Sequence, residues 1–133
     1  MKSPSPRVFR KLIAAAKAAQ RNAHAPYSKF RVGAALLTKS GKVYTGVNVE
    51  NASYGLTNCA ERVAVGKAVS EGHRKFQAIA VVAPSHGLSP CGACRQVLAE
   101  FGEMVVICAD SRNTRRVHIH LLSELLPHAF ELR

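Results

Sequence analysis

Residues 76–109 read FQAIAVVAPSHGLSPCGACRQVLAEFGEMVVICA, and this stretch decides the fold. It contains two nearly continuous apolar runs, Phe76–Ala83 and Met104–Ala109, as expected of strands that are buried on both faces. Between them, Ser89 and the proline that follows it predict an N-cap and a first helical position, and the helix should end near Phe101. A helix between two buried strands predicts a right-handed parallel crossover.

The flanking sequence supplies the other elements of the fold. Residues 7–22 fit an amphipathic helix, and its modest, alanine-rich apolar side favours packing on a sheet over lying on a membrane. Residues 30–37 and 43–48 fit two strands of an antiparallel hairpin. We further expect a helix over 59–71, an edge strand over 117–120 and a short helix within 121–130. The prediction is an α/β fold of three α-β-α layers around a mixed sheet of about five strands.

Length and composition exclude several classes of protein. The chain has 133 residues, of which 47% are apolar and 20% charged, and we expect one domain spanning residues 1–133. No apolar run approaches the roughly 18 to 20 residues of a membrane helix, and the N-terminal residues do not form a signal-peptide pattern. A cytoplasmic location is therefore expected. There the four cysteines are expected to be thiols or metal ligands, and not disulfides.

The charge of the chain is strongly positive. Lysine and arginine number 19 against 8 acids, which gives +11, and residues 1–49 contain ten basic residues before the first acid, Glu50. Such a charge is compatible with nucleic-acid binding, because phosphates release counterions when basic side chains neutralise them. The basic residues are scattered and no nucleic-acid-binding motif accompanies them. A solvated basic surface is therefore favoured, and nucleic acid is not an expected partner.

Two short segments contain the residues suited to chemistry. Cys91 and Cys94 are three residues apart at a predicted helix start, so that one tetrahedral ion can bridge their sulfurs. Cys59 begins another predicted helix, and helix N-termini favour thiolates. Three thiolates and an open position describe a catalytic zinc site, whereas a structural site needs a fourth ligand. Cys108 and His86 are the alternatives for that ligand.

Glu61 favours the catalytic interpretation. It lies two residues after Cys59, and there its carboxylate can reach the open coordination position. It could take a proton from water at that position and return it to a substrate. A structural zinc module has no use for this group.

Five segments of the chain, spread over nearly its whole length, form a specific set: Ala25–Leu36, Asn48–Tyr54, Asn58–Arg62, Ser89–Val97 and Glu124–Phe130. With them the chain resembles the small, homotetrameric, zinc-dependent cytidine deaminases. The resemblance implies one zinc ion per subunit, held by Cys59, Cys91 and Cys94. It also implies that cytidine and 2′-deoxycytidine lose ammonia to give uridine and 2′-deoxyuridine, a reaction of pyrimidine salvage. Glu61 would pass a proton to N3 of the pyrimidine and then to the leaving amine.

The resemblance also assigns the surrounding residues. Arg62 would donate to the ligand sulfurs and offset the net negative charge of three thiolates with Zn²⁺. Asn48 and Glu50 would bind the ribose, and their alternate positions after a strand point their side chains the same way. The full set of expected substrate contacts is Phe30, Asn48, Glu50, Ala52, Tyr54, Ala60 and Phe130. Ala52, Tyr54 and Phe130 would reach across subunit boundaries, while Cys108 is expected in the core.

Three alternatives remain open at this stage. The positive charge is compatible with a deaminase of single-stranded polynucleotide or of another cytosine-containing compound, of the blasticidin S type. The pair Asn48 and Glu50, with Phe130 as a lid, favours a small nucleoside, because a lid would block a continuing strand. The alternative without enzymatic activity is a basic nucleic-acid-binding zinc module, and Glu61 argues against it.

Overall fold

The parallel crossover lies at the centre of a single five-stranded sheet. In the computed structural model, which describes residues 4–132, the strands are β1 Gly33–Thr38, β2 Val43–Val47, β3 Phe76–Ala83, β4 Val105–Asp110 and β5 Asn113–Leu121. Their order in the sheet is β2-β1-β3-β4-β5. β3 and β4 are parallel and the other neighbours are antiparallel. This arrangement confirms the predicted mixed sheet.

Helices cover both faces of the sheet. They are α1 Pro6–Gln20, α2 Ala60–Ser70, α3 Gly92–Ala99 and α4 Leu122–Leu125. Leu12, Ile13 and Ala16 of α1 are buried against side chains of β1, β3 and β4. α2, α3 and α4 pack on the other face, where their apolar residues form a second core cluster. The α-β-α layering is therefore confirmed, and the apolar side of α1 is used within the fold.

None of the helices within residues 4–132 is long and apolar enough to cross a membrane. Residues 1–3 lie outside the described residues. The structure therefore does not test the expectation about a signal peptide, which concerns a segment that begins with them.

The bounds of two elements differ from the sequence-based prediction near the site. β1 begins at Gly33 and not at residue 30, because the amide of Val32 and the carbonyl oxygen of Phe30 bond to the side chain of Asn48. α3 begins at Gly92 with Cys91 as its N-cap, so that the predicted N-cap at Ser89 is wrong.

The C-terminal part of the chain differs as well. β5 spans nine residues, whereas the sequence predicted an edge strand of four. It lies at the sheet edge and most of its residues are exposed, so it lacks the apolar pattern by which a buried strand is identified. α4 has four residues and ends at Leu125, two residues before Pro127, so that Phe130 follows it in an extended segment.

Glycine at position 46 sets the position of α2 against the sheet. A Cβ atom built on Gly46 would lie 2.3 Å from the carbonyl oxygen of Ala60 and 2.6 Å from the amide nitrogen of Ala64. Only a residue without a side chain allows the first turn of α2 to approach β2 this closely. The N-terminus of α2, with Cys59 before it, is thereby fixed over one end of the sheet.

Candidate active site

Two helix N-termini bring three sulfurs together. Cys59 is the N-cap of α2, Cys91 is the N-cap of α3, and Cys94 lies in the first turn of α3. The Sγ atoms of Cys59 and Cys91 are 3.8 Å apart, and all three sulfurs lie within 4.8 Å of one another. Zinc–sulfur bonds of about 2.3 Å at tetrahedral angles place two sulfurs about 3.8 Å apart. The spacing therefore fits a tetrahedral zinc ion.

The electrostatics of the sulfurs favour a bound cation. A hydrogen bond from Cys94 lowers the pKa of the Cys59 thiol to about 5, and Arg62 and Cys91 contribute further hydrogen bonds. The same interaction with Cys59, together with burial, raises the pKa of Cys94. Three adjacent thiolates therefore oppose one another unless a cation lies between them. A coordinated metal ion deprotonates such thiols outright.

The described residues offer no fourth protein ligand at this site. Among residues 4–132, Cys59, Cys91 and Cys94 are the one group of at least three His, Cys, Asp or Glu side chains whose ligand atoms lie so close. Cys108 is buried in the core beneath the helices, as predicted, and burial raises the pKa of its thiol to about 12. His86 packs edge-on against His118. Neither alternative joins the three sulfurs.

Glu61 is a buried acid beside the sulfurs. It is the second residue of α2 and is 4% exposed. Burial raises the pKa of its carboxyl group, and the nearby Cys59 thiolate raises it further. A carboxyl group whose pKa is raised toward neutrality both accepts and donates protons there. Glu61 is therefore placed and tuned for general acid–base chemistry.

Arg62 lies against the same sulfurs. Its Nη2 donates to Cys59 Sγ at 3.4 Å, and this hydrogen bond raises the pKa of the guanidinium group. Its Nε is buried without a hydrogen-bond partner among the described residues. The positive charge therefore lies where it offsets the negative charge of the sulfur cluster, the position that the resemblance implies for this residue.

The segment that contains Phe30 is held by Asn48. Oδ1 of Asn48 accepts from the amide of Val32 at 2.9 Å, and Nδ2 donates to the carbonyl oxygen of Phe30 at 2.8 Å. Asn48 is only 8% exposed, while Phe30 is 38% exposed. The structure therefore places Asn48 behind Phe30, where it fixes the main chain and leaves the ring accessible.

Glu50 holds the beginning of the same segment. Its Oε1 accepts from the amides of Tyr27 and Ser28 at 3.0 and 3.1 Å, and Ser28 Oγ donates to Oε2. These hydrogen bonds, above all the one from the Ser28 hydroxyl, lower the pKa of Glu50. Ser28 Oγ also accepts from the amide of Phe30. Ser28 was not among the predicted site residues, although it stands in the first of the five matching segments.

Glu50 also lines an open cleft. The cleft has a volume of about 360 Å³ and is lined by Tyr27, Ser28, Glu50, Tyr54 and Thr57. Tyr54 is 78% exposed there. Ala52, in the same loop, is exposed as well.

Two further predicted contact residues lie apart from this cleft. Phe130 is 69% exposed, and its carbonyl oxygen accepts from Gln96 Nε2 on α3 at 3.1 Å. Ala60 is fully buried, with its carbonyl against Gly46. Within one chain, the structure therefore brings Phe30, Asn48 and Glu50 together, with the exposed Tyr54 in the cleft beside Glu50, and leaves Phe130 at a separate exposed position.

Arg95 is a positioning residue that was not among the predicted site residues. Its Nε donates to the carbonyl oxygen of Pro90 and its Nη1 to that of Leu125, both at 2.7 Å, and Nη2 donates to Ser89 Oγ. One side chain thus connects the segment before Cys91 with the end of α4. Its position directly after Cys94 was the signal available in the sequence.

These features together define the class of the protein. A buried carboxylate beside three clustered sulfurs is the arrangement of a catalytic zinc site, in which the fourth position is open to water or substrate. The fold and the site are those of a zinc-binding α-β-α enzyme. Residues 7–109 match the family described as the cytidine and deoxycytidylate deaminase zinc-binding region. The chain belongs to this family.

Individual relatives match over most of the chain. A probable cytidine deaminase of Dictyostelium discoideum is 53% identical over 123 residues, which cover 90% of this chain and 82% of that protein. A cytidine deaminase of Sporosarcina psychrophila is also 53% identical, covering 90% and 89%. The crystal structure of cytidine deaminase from Burkholderia pseudomallei superposes with a TM-score of 0.86 at 52% identity, covering 91% of this chain and 98% of that one. These comparisons also confirm the predicted fold.

Proposed function

We propose that this protein is a zinc-dependent cytidine deaminase, which hydrolyses cytidine and 2′-deoxycytidine to uridine and 2′-deoxyuridine with release of ammonia. The observation that carries the proposal is the buried carboxyl group of Glu61 beside three sulfurs at zinc spacing. Relatives named as cytidine deaminases, matching nine-tenths of the chain, support it. The reaction would serve pyrimidine salvage in the cytoplasm.

Cys59, Cys91 and Cys94 would hold one zinc ion per subunit. When bound, zinc supplies Lewis acidity, which makes water a nucleophile at neutral pH. Arg62, through its hydrogen bond to Cys59, offsets the excess negative charge of the three thiolates.

Glu61 carries the protons of the reaction. Its carboxylate takes a proton from the attacking water and delivers it to N3 of the pyrimidine as a bond forms between oxygen and C4. A second proton passes through Glu61 to the amino group, the bond between C4 and nitrogen breaks, and ammonia leaves. Burial suits Glu61 to both transfers, because it brings the pKa of the carboxyl group closer to the pH of the reaction.

Phe30 would pack on the pyrimidine, while Asn48 and Glu50 would bind the ribose. The structure supports this set by bringing Asn48 and Glu50 to the segment that contains Phe30. A ribose hydroxyl would share Glu50 with the hydroxyl of Ser28, which already donates to it. Ala60 is fully buried and its carbonyl oxygen faces Gly46 of β2, so that its contact with substrate would be made by the main-chain amide.

Ala52, Tyr54 and Phe130 would complete the site across subunit boundaries in a homotetramer. The high exposure of the Tyr54 and Phe130 rings in a single chain supports this assignment, because large aromatic side chains at interfaces are ordinarily covered by a partner. Light scattering of the purified protein tests the oligomeric state. A monomer in solution would contradict it.

A side-by-side assay tests the function. Purified, zinc-loaded protein is incubated separately with cytidine, 2′-deoxycytidine, blasticidin S and a single-stranded oligonucleotide, and the decrease of the cytosine absorbance band is followed. We expect turnover of both nucleosides and little of the other two. The absence of any change with either nucleoside would refute the proposal, and turnover restricted to blasticidin S or to the oligonucleotide would replace the substrate.

A further inference from the structure

Basic residues that are scattered along the sequence meet at one end of the sheet, where β1 begins and β4 ends. Gln20 Nε2, at the end of α1, donates to the carbonyl oxygen of Arg31 at 3.0 Å and to Ser111 Oγ at 3.1 Å. Arg21 follows Gln20 in the chain, and Arg112 follows Ser111. The hydrogen bonds of Gln20 therefore bring together three separate segments, each of which contributes one arginine: Arg21, Arg31 and Arg112.

The hairpin between β4 and β5 adds more positive charge at this end of the sheet. Arg112 forms an ion pair with Asp110 at 3.0 Å, and the charge of Arg116 also acts on that carboxylate. Arg115 precedes Arg116 on the edge strand β5, where consecutive side chains point to opposite faces of the sheet, so the positive charge wraps around this strand. We call Arg21, Arg31, Arg112, Arg115 and Arg116 the arginine rim, and all five side chains are exposed.

Few acidic groups oppose the arginine rim. Asp110 is already paired with Arg112, and the Glu50 carboxylate is occupied by donors from Tyr27 and Ser28. Three other acids lie toward the opposite end of the strands, where α2 ends, β4 begins and β5 ends: Glu71, Glu103 and Glu124. The arginine rim therefore has a local excess of positive charge that the fold creates.

The surroundings of the arginine rim indicate which anion it fits. Tyr27 and Phe30 are 52% and 38% exposed, and Phe30 directly precedes Arg31. Arginines that pair with phosphates, next to exposed aromatic rings on which bases stack, are typical of surfaces that bind single-stranded nucleic acid. A membrane surface fits less well, because the apolar side of α1 is buried in the core and not available to lipid.

We propose that the arginine rim, which borders the deaminase site at Tyr27 and Phe30, binds the phosphate backbone of single-stranded nucleic acid. The proposal accounts for the charge of +11, which an uncharged nucleoside does not require. It revises the expectation from sequence, where the basic residues are scattered because their meeting point depends on contacts between distant segments.

Fluorescence anisotropy with a labelled RNA of about 20 uridines tests the proposal. Such a strand contains no cytosine, so binding is measured apart from deamination. The test variant carries Arg→Gln at positions 21, 31, 115 and 116, and it retains Arg112 because Asp110 needs a partner. We expect binding at least tenfold weaker near 0.1 M salt, with a salt-dependence slope smaller by about 0.7 for each phosphate that the variant no longer neutralises.

A control variant removes the same net charge elsewhere. It carries glutamine at Arg10, Lys11, Lys42 and Arg74, all exposed and lying toward the other end of α1 or of the sheet. Its affinity should stay within about threefold of the unchanged protein, and both variants should keep cytidine turnover. Equally weakened binding by the two variants would show a diffuse charge effect and overturn the proposal. So would no RNA binding by the unchanged protein, or a preference for anionic phospholipid vesicles over RNA.

Discussion

Asn48 and Phe30 are joined by a hydrogen bond of 2.8 Å, from the side-chain amide of the first residue to the carbonyl oxygen of the second. The same side chain accepts from Val32 two residues further on, so that one amide holds both ends of a three-residue segment. A polar side chain that the resemblance assigns to the substrate thus also shapes the wall against which the substrate would lie. A substitution at Asn48 should therefore change the accessible geometry of Phe30.

Asn48→Asp should weaken substrate binding. A carboxylate cannot donate to the carbonyl oxygen of Phe30, and leaving that group unpaired costs about 1–3 kcal/mol. We expect a raised KM for cytidine with a smaller change in kcat, measured by steady-state kinetics. Asn51→Asp is the matched control, because the Asn51 side chain acts only as an acceptor, from the amide of Ser53. Equal KM values for the two variants would show that the bond to Phe30 has no effect on binding.

Glu61→Gln should abolish most turnover and leave the metal in place. Glutamine has nearly the same shape but cannot carry a proton, and removal of acid–base catalysis costs about 10²–10⁴-fold in rate for each transfer. The measurements are kcat for cytidine and zinc content by atomic absorption. Glu71→Gln, at the exposed end of α2, should keep full activity. An active Glu61 variant would remove Glu61 from the mechanism.

Cys59→Ala should release zinc, whereas Cys108→Ala should retain it. Both substitutions remove one sulfur, but only Cys59 belongs to the three-sulfur cluster. Cys108 lies in the core, so its removal should cost about 1 kcal/mol of unfolding free energy and leave the metal bound. Zinc content after dialysis and the denaturation midpoint separate the two effects. Zinc release from the Cys108 variant alone would contradict the assigned ligands.

Arg95→Gln should loosen the metal site without touching a ligand. The guanidinium group fixes the carbonyl of Pro90, next to Cys91, and the carbonyl of Leu125. Removal of a group that orients ligands typically lowers metal affinity by about 10–100-fold. Competition with a chelator measures this affinity, and Arg115→Gln on the exposed edge strand serves as the control. Unchanged zinc affinity in the Arg95 variant would limit its role to the C-terminal segment.

Asp110→Asn should remove part of the acid sensitivity of the fold. The Arg112 guanidinium lowers the pKa of Asp110 to about 2, below its ordinary value of 3.8. Because the folded pKa is depressed, this stabilisation is present above about pH 4 and disappears as the pH falls toward 2. Denaturation midpoints of the unchanged protein should therefore fall more steeply over this interval than those of the variant. Parallel curves for the two proteins would exclude the pair as a source of acid sensitivity.

Much of the fold could be predicted because buried elements require apolar residues at characteristic positions of the sequence. Phe76–Ala83 is a strand with the predicted bounds, since a strand covered on both faces must be apolar at nearly every position. β5 was largely missed, because an exposed edge strand has no such requirement. The predicted helix start at Ser89 was wrong for a different reason. The side chain of Arg95, five to six residues further along, bonds to Ser89 and Pro90 and keeps them outside the helix.

The sequence by itself determined the chemistry of the site. Both features are local: Cys91 and Cys94 are three residues apart, a spacing that brings side chains together within one helical turn, and Glu61 follows Cys59 at the start of another predicted helix. Cys59 and Cys91 are 32 residues apart in the sequence, and only the tertiary structure brings their sulfurs into contact. It also gathered the arginine rim, because charges that are distant in sequence become neighbours only when the sheet and its helices pack.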